Sequence, residues 1–420
     1  MSGIPLVKVG QRIATRNVKG VISAPDKTKL DGIATGATAN STDAQLRDRA
    51  THTGTQTVNT ITGLGSLATK STIVESDISG DISQSKISGL ISTIDSVAID
   101  NIILNPEHQV AQSGTSFVSV ANIRNYTLDQ WVLNISGTAT FTVSQDTNVP
   151  TLAQSGVFSP RSLRVLVNTA QATLTANNLG AITQSIEGHY FQFIAQQPFT
   201  ISFWVRATIP GIYCVAARSR NSTVSCVIEY TINAANTWEK KIVVFPATIA
   251  AQAAWDYANN TGIIFSWAIG AGSTFITPTL NTWITGNFVA SPNQVNGYGA
   301  ANNEFRLHLC KCEPGLIATP FKKRLIDAQL RDCQRYYSRL HLGLENYATA
   351  GFFLEEWYLL PWFMRVAPTA KLVSTVSRDA TNMSGTPGVV LLGQAIQYYV
   401  MVATTGNISS KDLWEFDARL

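Results

Sequence analysis

The sequence is poor in charged residues. Asp, Glu, Lys and Arg make up 14% of the 420 residues, against roughly 25% in a typical soluble domain. The polar surface must therefore consist mainly of Thr, Ser, Asn and Gln, which suits extended β-structure. The formal net charge is only +4, and no basic block or basic helix stands out, so nothing in the sequence supports binding to nucleic acid.

Long apolar runs are also absent. The opening residues, MSGIPLVKVGQRIATRNVKG, contain no apolar stretch of signal-peptide length, and no window approaches the ~20 apolar residues of a membrane span. We therefore expect neither secretion by the usual route nor membrane insertion. Hydrophobic residues nevertheless make up 45% of the chain, so some part of it must bury a sizeable core.

Cysteine is scarce and irregularly placed. The five cysteines are Cys214, Cys226, Cys310, Cys312 and Cys333. An odd number scattered through a large chain is not a small disulfide scaffold, and buried free thiols are the expectation. Cys310 and Cys312 would share one side of a strand, so redox pairing or cross-linking to another chain is the alternative. No second CxxC or HxxxH pattern accompanies them, so no zinc site is predicted.

The N-terminal quarter divides into two zones. Residues 1–25 form a short, mildly basic segment with little to pack on, which predicts an attachment peptide ordered by another protein. Residues 26–104 begin with the turn-rich stretch PDKTKLDGIATGATAN, followed by STDAQLRDRA, which predicts about two helical turns. After residue 58 the zone carries Ile or Leu every three to five residues, between Thr, Ser and Gly.

Energetics limit what this second zone can form. Ordering a residue costs roughly 1–2 kcal/mol in backbone entropy, whereas a buried Ile or Leu returns about 1.5–3 kcal/mol. So few aliphatic residues cannot order a single chain, and the zone must either be disordered or wind around copies of itself. We predict a shaft in which several copies of the chain intertwine. Its expected core residues are Ile61, Leu64, Leu67, Ile78, Ile82, Ile87, Leu90 and Ile94.

The remainder of the chain is predicted to be mainly β. In residues 105–325, short β-branched and aromatic runs such as FTISFWVRAT and GIIFSWAIG alternate with Gly, Asn and Pro, which predicts an antiparallel sandwich of jelly-roll type. Trp204 and Trp267 lie within these runs and are expected in the core. Residues 326–420 open with a helical pattern, IDAQLRDCQRYYSRL, followed by strand-like segments, which predicts a small α+β cap.

Several sequence segments resemble segments of tailed-bacteriophage tail fibres. DKTKLDGIATGATAN and DAQLRDRATHTGTQ are similar to tail-fibre shaft modules. The following segments resemble the carbohydrate-module-like sandwich of phage receptor-binding proteins: ITQSIEG (182–188), FTISFWVRA (199–207), NTWEKK (236–241), GIIFSWAIGAGS (262–273) and the later Trp283. The most specific part of the resemblance is the junction EPGLIATPF (313–321), followed by CQRYY (333–337) and MRVAPT (364–369). Together with the shaft, these cover most of residues 26–370.

The resemblance implies a homotrimeric fibre located in the virion tail. Its N-terminus would dock on a tail or baseplate protein, and its C-terminal domains would bind a glycan or protein receptor on the host surface. No catalytic residue and no cofactor is expected. Joint binding by three copies can raise avidity by about 10²–10⁴, so a weak sugar contact would suffice.

Two chemical alternatives to this function involve a metal ion or a pair of carboxylates. Three copies of His52 on a threefold axis could hold a metal ion, but His52 lacks a neighbouring histidine, and we predict no metal. A depolymerising tailspike would need a carboxylate pair. The acidic residues available for such a pair are Glu187, Glu229, Glu239, Asp256, Glu304 and Glu313. A purely structural fibre without a receptor is a third possibility.

Receptor contacts are predicted from exposed aromatic residues beside polar ones, because sugars stack on aromatic rings and bond to polar side chains. The predicted contacts are Tyr347, Trp357, Tyr358, Arg378, Asp379 and Asn382 in the cap, and Trp255, Asp256 and Tyr257 in the sandwich.

Overall fold

The computed structural model describes most of the chain after residue 100 and one short segment before it. The described residues are 23–32, 101–119, 124–253, 255–378 and 381–420. They belong to two units, residues 1–88 and 89–420. His52 and the predicted shaft core from Ile61 to Ile94 lie outside the described residues, as does most of the predicted attachment segment. No helix in the described part is long and apolar enough to cross a membrane.

A short helix, α1 (Ala24–Asp31), is the described element of the first unit. The Ser23 hydroxyl accepts a hydrogen bond from a backbone N–H of the first turn, at 3.3 Å, and Pro25 occupies a position where no N–H is needed. The prediction of turns from residue 26 onward was therefore wrong for 26–31, because this cap favours a helix.

Residues 116–314 form two antiparallel sheets. Their strands are β1 (Ser116–Val118), β2 (Arg124–Tyr126), β3 (Val132–Ser136), β4 (Thr140–Asp146), β5 (Ser162–Thr169), β6 (Leu179–Glu187), β7 (Phe199–Ala207), β8 (Gly211–Ser219), β9 (Val224–Ile232), β10 (Glu239–Phe245), β11 (Thr261–Ala271), β12 (Ile284–Thr285) and β13 (Glu304–Pro314). The short helices are α2 (Leu152–Ser155) and α3 (Gly188–Phe191), with 3₁₀ turns at Ala250–Gln252 and Ser273–Phe275. One sheet has the order β1-β4-β5-β13-β7-β10 and the other β12-β9-β8-β11-β6-β3-β2. The prediction of a mainly β, antiparallel sandwich is confirmed.

The core of the sandwich lies between the two sheets. Trp267 of β11 is fully buried, as predicted, with its ring 5.4 Å from that of Trp131 and 5.9 Å from that of Phe203 in the opposite sheet. Aromatic rings therefore bridge the two layers. Trp204, the next residue of β7, alternates away from this core and is only partly buried.

All five cysteines are free and buried, which confirms the expectation of buried thiols. Burial raises the pKa of Cys214 to about 11 and that of Cys226 to about 12. Cys310 and Cys312 both belong to the sandwich core. Their thiols fill apolar space and are shielded from solvent.

Residues 326–420 belong to the same unit as the sandwich and add two further sheets to it; we call this part the tip. It consists of α4 (Ile326–Gln334), β14 (Tyr337–Ala348), β15 (Phe353–Leu359), β16 (Thr369–Arg378), β17 (Met383–Leu392), β18 (Ala395–Val402) and β19 (Gly406–Asp417). The strands pair as two sheets, β14-β19-β16 and β15-β18-β17. Side chains of both sheets, including Phe416 of β19 and Tyr398 of β18, share one core.

The predicted helix of the tip is shorter than its periodicity indicated. The pattern extended to Tyr337, whereas α4 ends at Gln334 and Tyr337 begins β14. The reason is tertiary, because Tyr336 is fully buried and its hydroxyl donates to a carboxylate of the sandwich, Glu187, at 2.7 Å.

This carboxylate forms a joint between the sandwich and the tip. Glu187 at the end of β6 is fully buried. The Arg335 guanidinium donates to both of its oxygens, at 2.7 and 2.9 Å. Such a bidentate pair fixes both distance and orientation, so the tip is held against the end of β6.

Candidate functional site

The outer face of the seven-stranded sheet carries unusual polar residues. On β11, Phe265 and Trp267 belong to the sandwich core, so Ser266 between them points to the opposite face. On β8, Ala217 points inward and Arg218 outward by the same alternation. Both Ser266 and Arg218 are nonetheless buried.

Part of this outer face is covered and part is open. Over one part, Val289 and Ala290 pack on Ala216, Val227 and Ala268 in a small apolar cluster. Beside the cluster lies a groove of about 400 Å³, a volume within the usual range of ligand sites. The polar residues that line it include Arg124, Asn134, Thr183, Ser185, Arg218 and Asn287. We call this the outer-face groove.

Arg218 is the most buried charged group of the groove, with 7% of its surface exposed. Its guanidinium donates to Asn287 Oδ1 at 2.7 Å, to Ser266 Oγ at 2.8 Å and to Ser222 Oγ at 3.3 Å. All three acceptors are uncharged. Its Nε has no hydrogen-bond partner among the described residues.

A second arginine lies at the same groove. Arg124 of β2 is exposed and donates to the backbone oxygen of Leu420 at 3.0 Å. Burial, reinforced by the nearby charge of Arg124, lowers the pKa of Arg218 to about 10. Arg218 remains charged at neutral pH, so the groove carries positive charge at its wall and at its edge.

Uncharged polar groups complete the groove. Asn134 Nδ2 donates to Thr183 Oγ1 at 2.7 Å, across the neighbouring strands β3 and β6. None of the groove residues was among the predicted receptor contacts. The sequence contained one signal for the groove. In IYCVAARS a single arginine follows a run of small and apolar residues, at a position where strand alternation turns its side chain away from the core.

The predicted contacts Trp255, Asp256 and Tyr257 follow one another before β11 but are partly used by the fold. The Trp255 indole donates to the backbone oxygen of Ile249 at 3.0 Å, and the Tyr257 ring stacks on buried Phe191 at 5.6 Å. Asp256 accepts hydrogen bonds from its own loop. These bonds outweigh the opposing effect of burial and lower the pKa of Asp256.

In the tip, Tyr347 and Trp357 are exposed on different sheets. Tyr347 of β14 is 64% exposed and Trp357 of β15 is 49% exposed. Tyr358 points the other way, and its hydroxyl bonds to the backbone of Gly343. Tyr358 also lines a shallow groove of about 460 Å³ with residues that include His341, Glu345 and Lys411.

Arg378 and Asn382 have structural partners. The Arg378 guanidinium donates to both oxygens of fully buried Asp412, at 3.0 and 3.1 Å. Asn382 donates to the backbone oxygen of Asn407 at 2.9 Å, and Asn407 is the register partner of Tyr347. Asn382 and Tyr347 thus both lie near the Gly406 end of β19. Asp379 lies outside the described residues.

The carboxylates considered for glycan cleavage are dispersed among structural contacts. Glu304 accepts bonds from Arg164 and Arg306, which outweigh the opposing effect of burial and lower its pKa. A bond from Lys241 likewise outweighs burial and lowers the pKa of Glu239. Glu313 accepts from Thr319 at 2.6 Å, and Glu229 from Asn293 at 3.0 Å. A general acid needs a raised pKa, so Glu304 and Glu239 are unsuited to that role.

Comparison with known proteins adds structural similarities at low identity. No family model and no curated protein matches this chain. Among solved structures, the enzymatically active domain of bacteriophage CBA120 tailspike protein 4 is similar over 52% of this chain and 22% of that chain, with 15% identity and a TM-score of 0.29. This chain therefore spans less than a quarter of that protein.

Carbohydrate-binding modules are also among the similar structures. TmCBM61 in complex with beta-1,4-galactotriose covers 51% of this chain and 99% of its own, with 10% identity and a TM-score of 0.24. A family 11 module from Clostridium thermocellum, in complex with a beta-1,3-1,4-mixed-linked tetrasaccharide, covers 49% and 99%, with 10% identity and a TM-score of 0.25. Similarities this low carry no argument about function, so the sandwich is assigned from its own strands.

Proposed function

We propose that this chain is a phage tail fibre that docks on the tail or baseplate through its N-terminus and binds a host surface glycan through its C-terminal domains. The tail-fibre part of the proposal rests on the sequence resemblance of residues 26–370. The glycan-binding part rests on the outer-face groove. Its amide, hydroxyl and guanidinium groups converge on one open volume, the arrangement by which proteins fix the orientation of a polar ligand.

Binding of glycans to the full chain on an array tests this function. Ser185 lines the groove from β6, so Ser185→Trp should fill the groove and abolish binding. Thr231→Trp places the same bulk at an exposed outward position of β9 in the same sheet and should leave binding intact. Equal binding by both variants would move the receptor site away from the groove, and Tyr347 and Trp357 of the tip would be examined next.

We also propose that three copies of the chain associate; the shaft energetics favour association of several copies, and the sequence resemblance implies three. The tip supports this proposal with exposed apolar residues on one face of β15-β18-β17, where they flank Glu355 and Gln397. Phe353 is 59% exposed and its register partner Met401 is 42% exposed. Trp357 and Leu359 follow on the same side of β15. Exposed apolar area of this kind marks an interaction surface. The proposed shaft would bring further copies of the chain close to this surface, so they are its expected partners.

We infer that the fibre is not an enzyme, and glycan turnover tests this directly. The structural engagement of the six carboxylates supports the inference. Incubation of the purified protein with a bound glycan should leave the glycan length unchanged. Shortened chains would favour the depolymerase alternative, whereas failure to bind any glycan or host cell would favour a purely structural fibre.

A further inference from the structure

The charge of Arg218 is not matched by its surroundings. A guanidinium carries five N–H donors, and the described contacts of Arg218 provide three acceptors, all uncharged. Because only 7% of the Arg218 surface is exposed, hydration can compensate only in part for the missing opposite charge. Buried charges are normally paired with an opposite charge. Fully buried Asp412, for example, is paired with Arg378.

The position of Arg218 links this unmatched charge to a ligand. Arg218 and Arg124 both line the outer-face groove. A structural role for Arg218 alone would be to hold Asn287 and Ser222 near β8, and neutral acceptors suffice for that role. It does not explain a second arginine at the same open volume.

We propose that the outer-face groove binds an anionic sugar, with Arg218 as the principal partner of the sugar's carboxylate or phosphate group and Arg124 as a second cation at the groove. This rests on the proposed glycan-binding function and narrows its ligand class. Guanidinium groups suit both kinds of anion because their donors form a planar fork. Ser185 and the amide oxygen of Asn134 are then available to the sugar hydroxyls.

Three matched monosaccharides test the proposal on the full-length wild-type protein. Glucose, glucuronate and glucose 6-phosphate share one ring and differ in charge, and their binding can be followed by ligand-observed NMR. We expect at least one anionic sugar to bind on the order of tenfold more tightly than glucose, as charge-assisted hydrogen bonds do relative to neutral ones. The tighter of the two anionic sugars identifies the anion as carboxylate or phosphate. Raising the salt concentration should reduce this preference.

Three variants test whether the preference for anionic sugars arises in the outer-face groove. Arg124→Gln changes an exposed residue, so it should fold, and it should weaken the anion preference several-fold. Arg218→Met should abolish the preference. Arg220→Gln removes the same charge from an exposed residue that pairs with Asp256 at 3.4 Å, outside the groove lining, and should keep the preference.

Two results would overturn the proposal in different ways. If glycans bind and Ser185→Trp blocks them, but the wild-type protein binds glucose as well as its anionic analogues, the groove is a neutral-sugar site and only the anion inference fails. If the anion preference exists but survives in both Arg124→Gln and Arg218→Met, anions bind elsewhere. Absence of glycan binding in the array experiment would instead remove the proposed function itself.

Discussion

Glu187 shows how much a single buried charge matters in this molecule. Its carboxylate has no exposed surface, and both Arg335 and Tyr336 donate to it. The hydrogen bonds to Glu187 also raise the pKa of Arg335. Pairing of this quality allows a charge to be buried, whereas removal of one partner leaves the other unsatisfied.

Replacement of Glu187 should therefore destabilise the protein strongly. Glu187→Gln keeps the size of the side chain but leaves the Arg335 charge unmatched. We expect the free energy of unfolding to fall by about 2–3 kcal/mol. This is at or below the low end of the range for broken buried ion pairs, because Arg335 is partly exposed. Urea unfolding measures it. Asp332→Asn, which breaks an exposed pair with Arg324, should cost less than about 1 kcal/mol, and equal losses would contradict the role of burial.

The thiols should be unreactive in the folded protein. Thiolate is the reactive form, and burial raises the pKa of Cys214 to about 11 and that of Cys226 to about 12. At pH 8 we expect a thiol reagent to label none of the five cysteines in native protein within minutes and all of them in denaturant. Mass spectrometry of the labelled chain counts them, and rapid native labelling of Cys310 or Cys312 would favour a redox role.

His308 of strand β13 should make the stability of the protein depend on pH. Burial lowers its pKa to about 4; burial, and secondarily the charge of His308, lower the pKa of His108. The folded state keeps these imidazoles neutral while the unfolded chain protonates near pH 6.5, so the unfolded state binds more protons. Stability should fall as pH drops from about 6.5 towards 4, by up to about 1.4 kcal/mol per pH unit for each histidine.

Urea titrations at several pH values between 7 and 4 measure this slope. His308→Gln should flatten it, whereas His341→Gln, at an exposed position of β14, should not. An unchanged slope in His308→Gln would assign the acid sensitivity to other groups.

At the level of elements, the sequence predicts type better than extent. Runs such as FTISFWVRA and GIIFSWAIGA became β7 and β11 because their inward residues alternate regularly. In the tip, β14 and β19 were not anticipated, since the burial pattern of β14 is irregular and β19 contains Gly, Asn and several charged residues. Their pairing along twelve register positions, from Tyr337–Asp417 to Ala348–Gly406, supplies what local propensity lacks.

The candidate site was harder to predict than the fold. Aromatic residues suggested Trp255 and Tyr257, but their rings partly serve packing on Phe191. The outer-face groove depends on the register of β8, β11 and β6, which brings Arg218, Ile264 and Ser185 level with one another. Register between distant strands cannot be read from one sequence, so the convergence of Arg218 with Thr183 and Asn134 was not visible.

For the whole molecule, the proposed trimer gives a direct prediction. Light scattering on the purified chain should give about three times the 45.4 kDa chain mass, because the shaft aliphatics can be buried only between copies. Trp357→Lys on the exposed face of β15 should weaken association of the tips, and Thr231→Lys on β9 serves as its control. A folded, monodisperse monomer would contradict the shaft argument.

The joint at Glu187 sets the smallest piece of this protein that can be studied in isolation. Cutting the chain after residue 325 would remove Arg335 and Tyr336 and leave the Glu187 carboxylate at the end of β6 without these donors. Such a fragment should misfold or precipitate even though its two sheets are complete. A fragment that contains the sandwich therefore has to retain residues 326–420, and heating it should melt sandwich and tip in a single cooperative step.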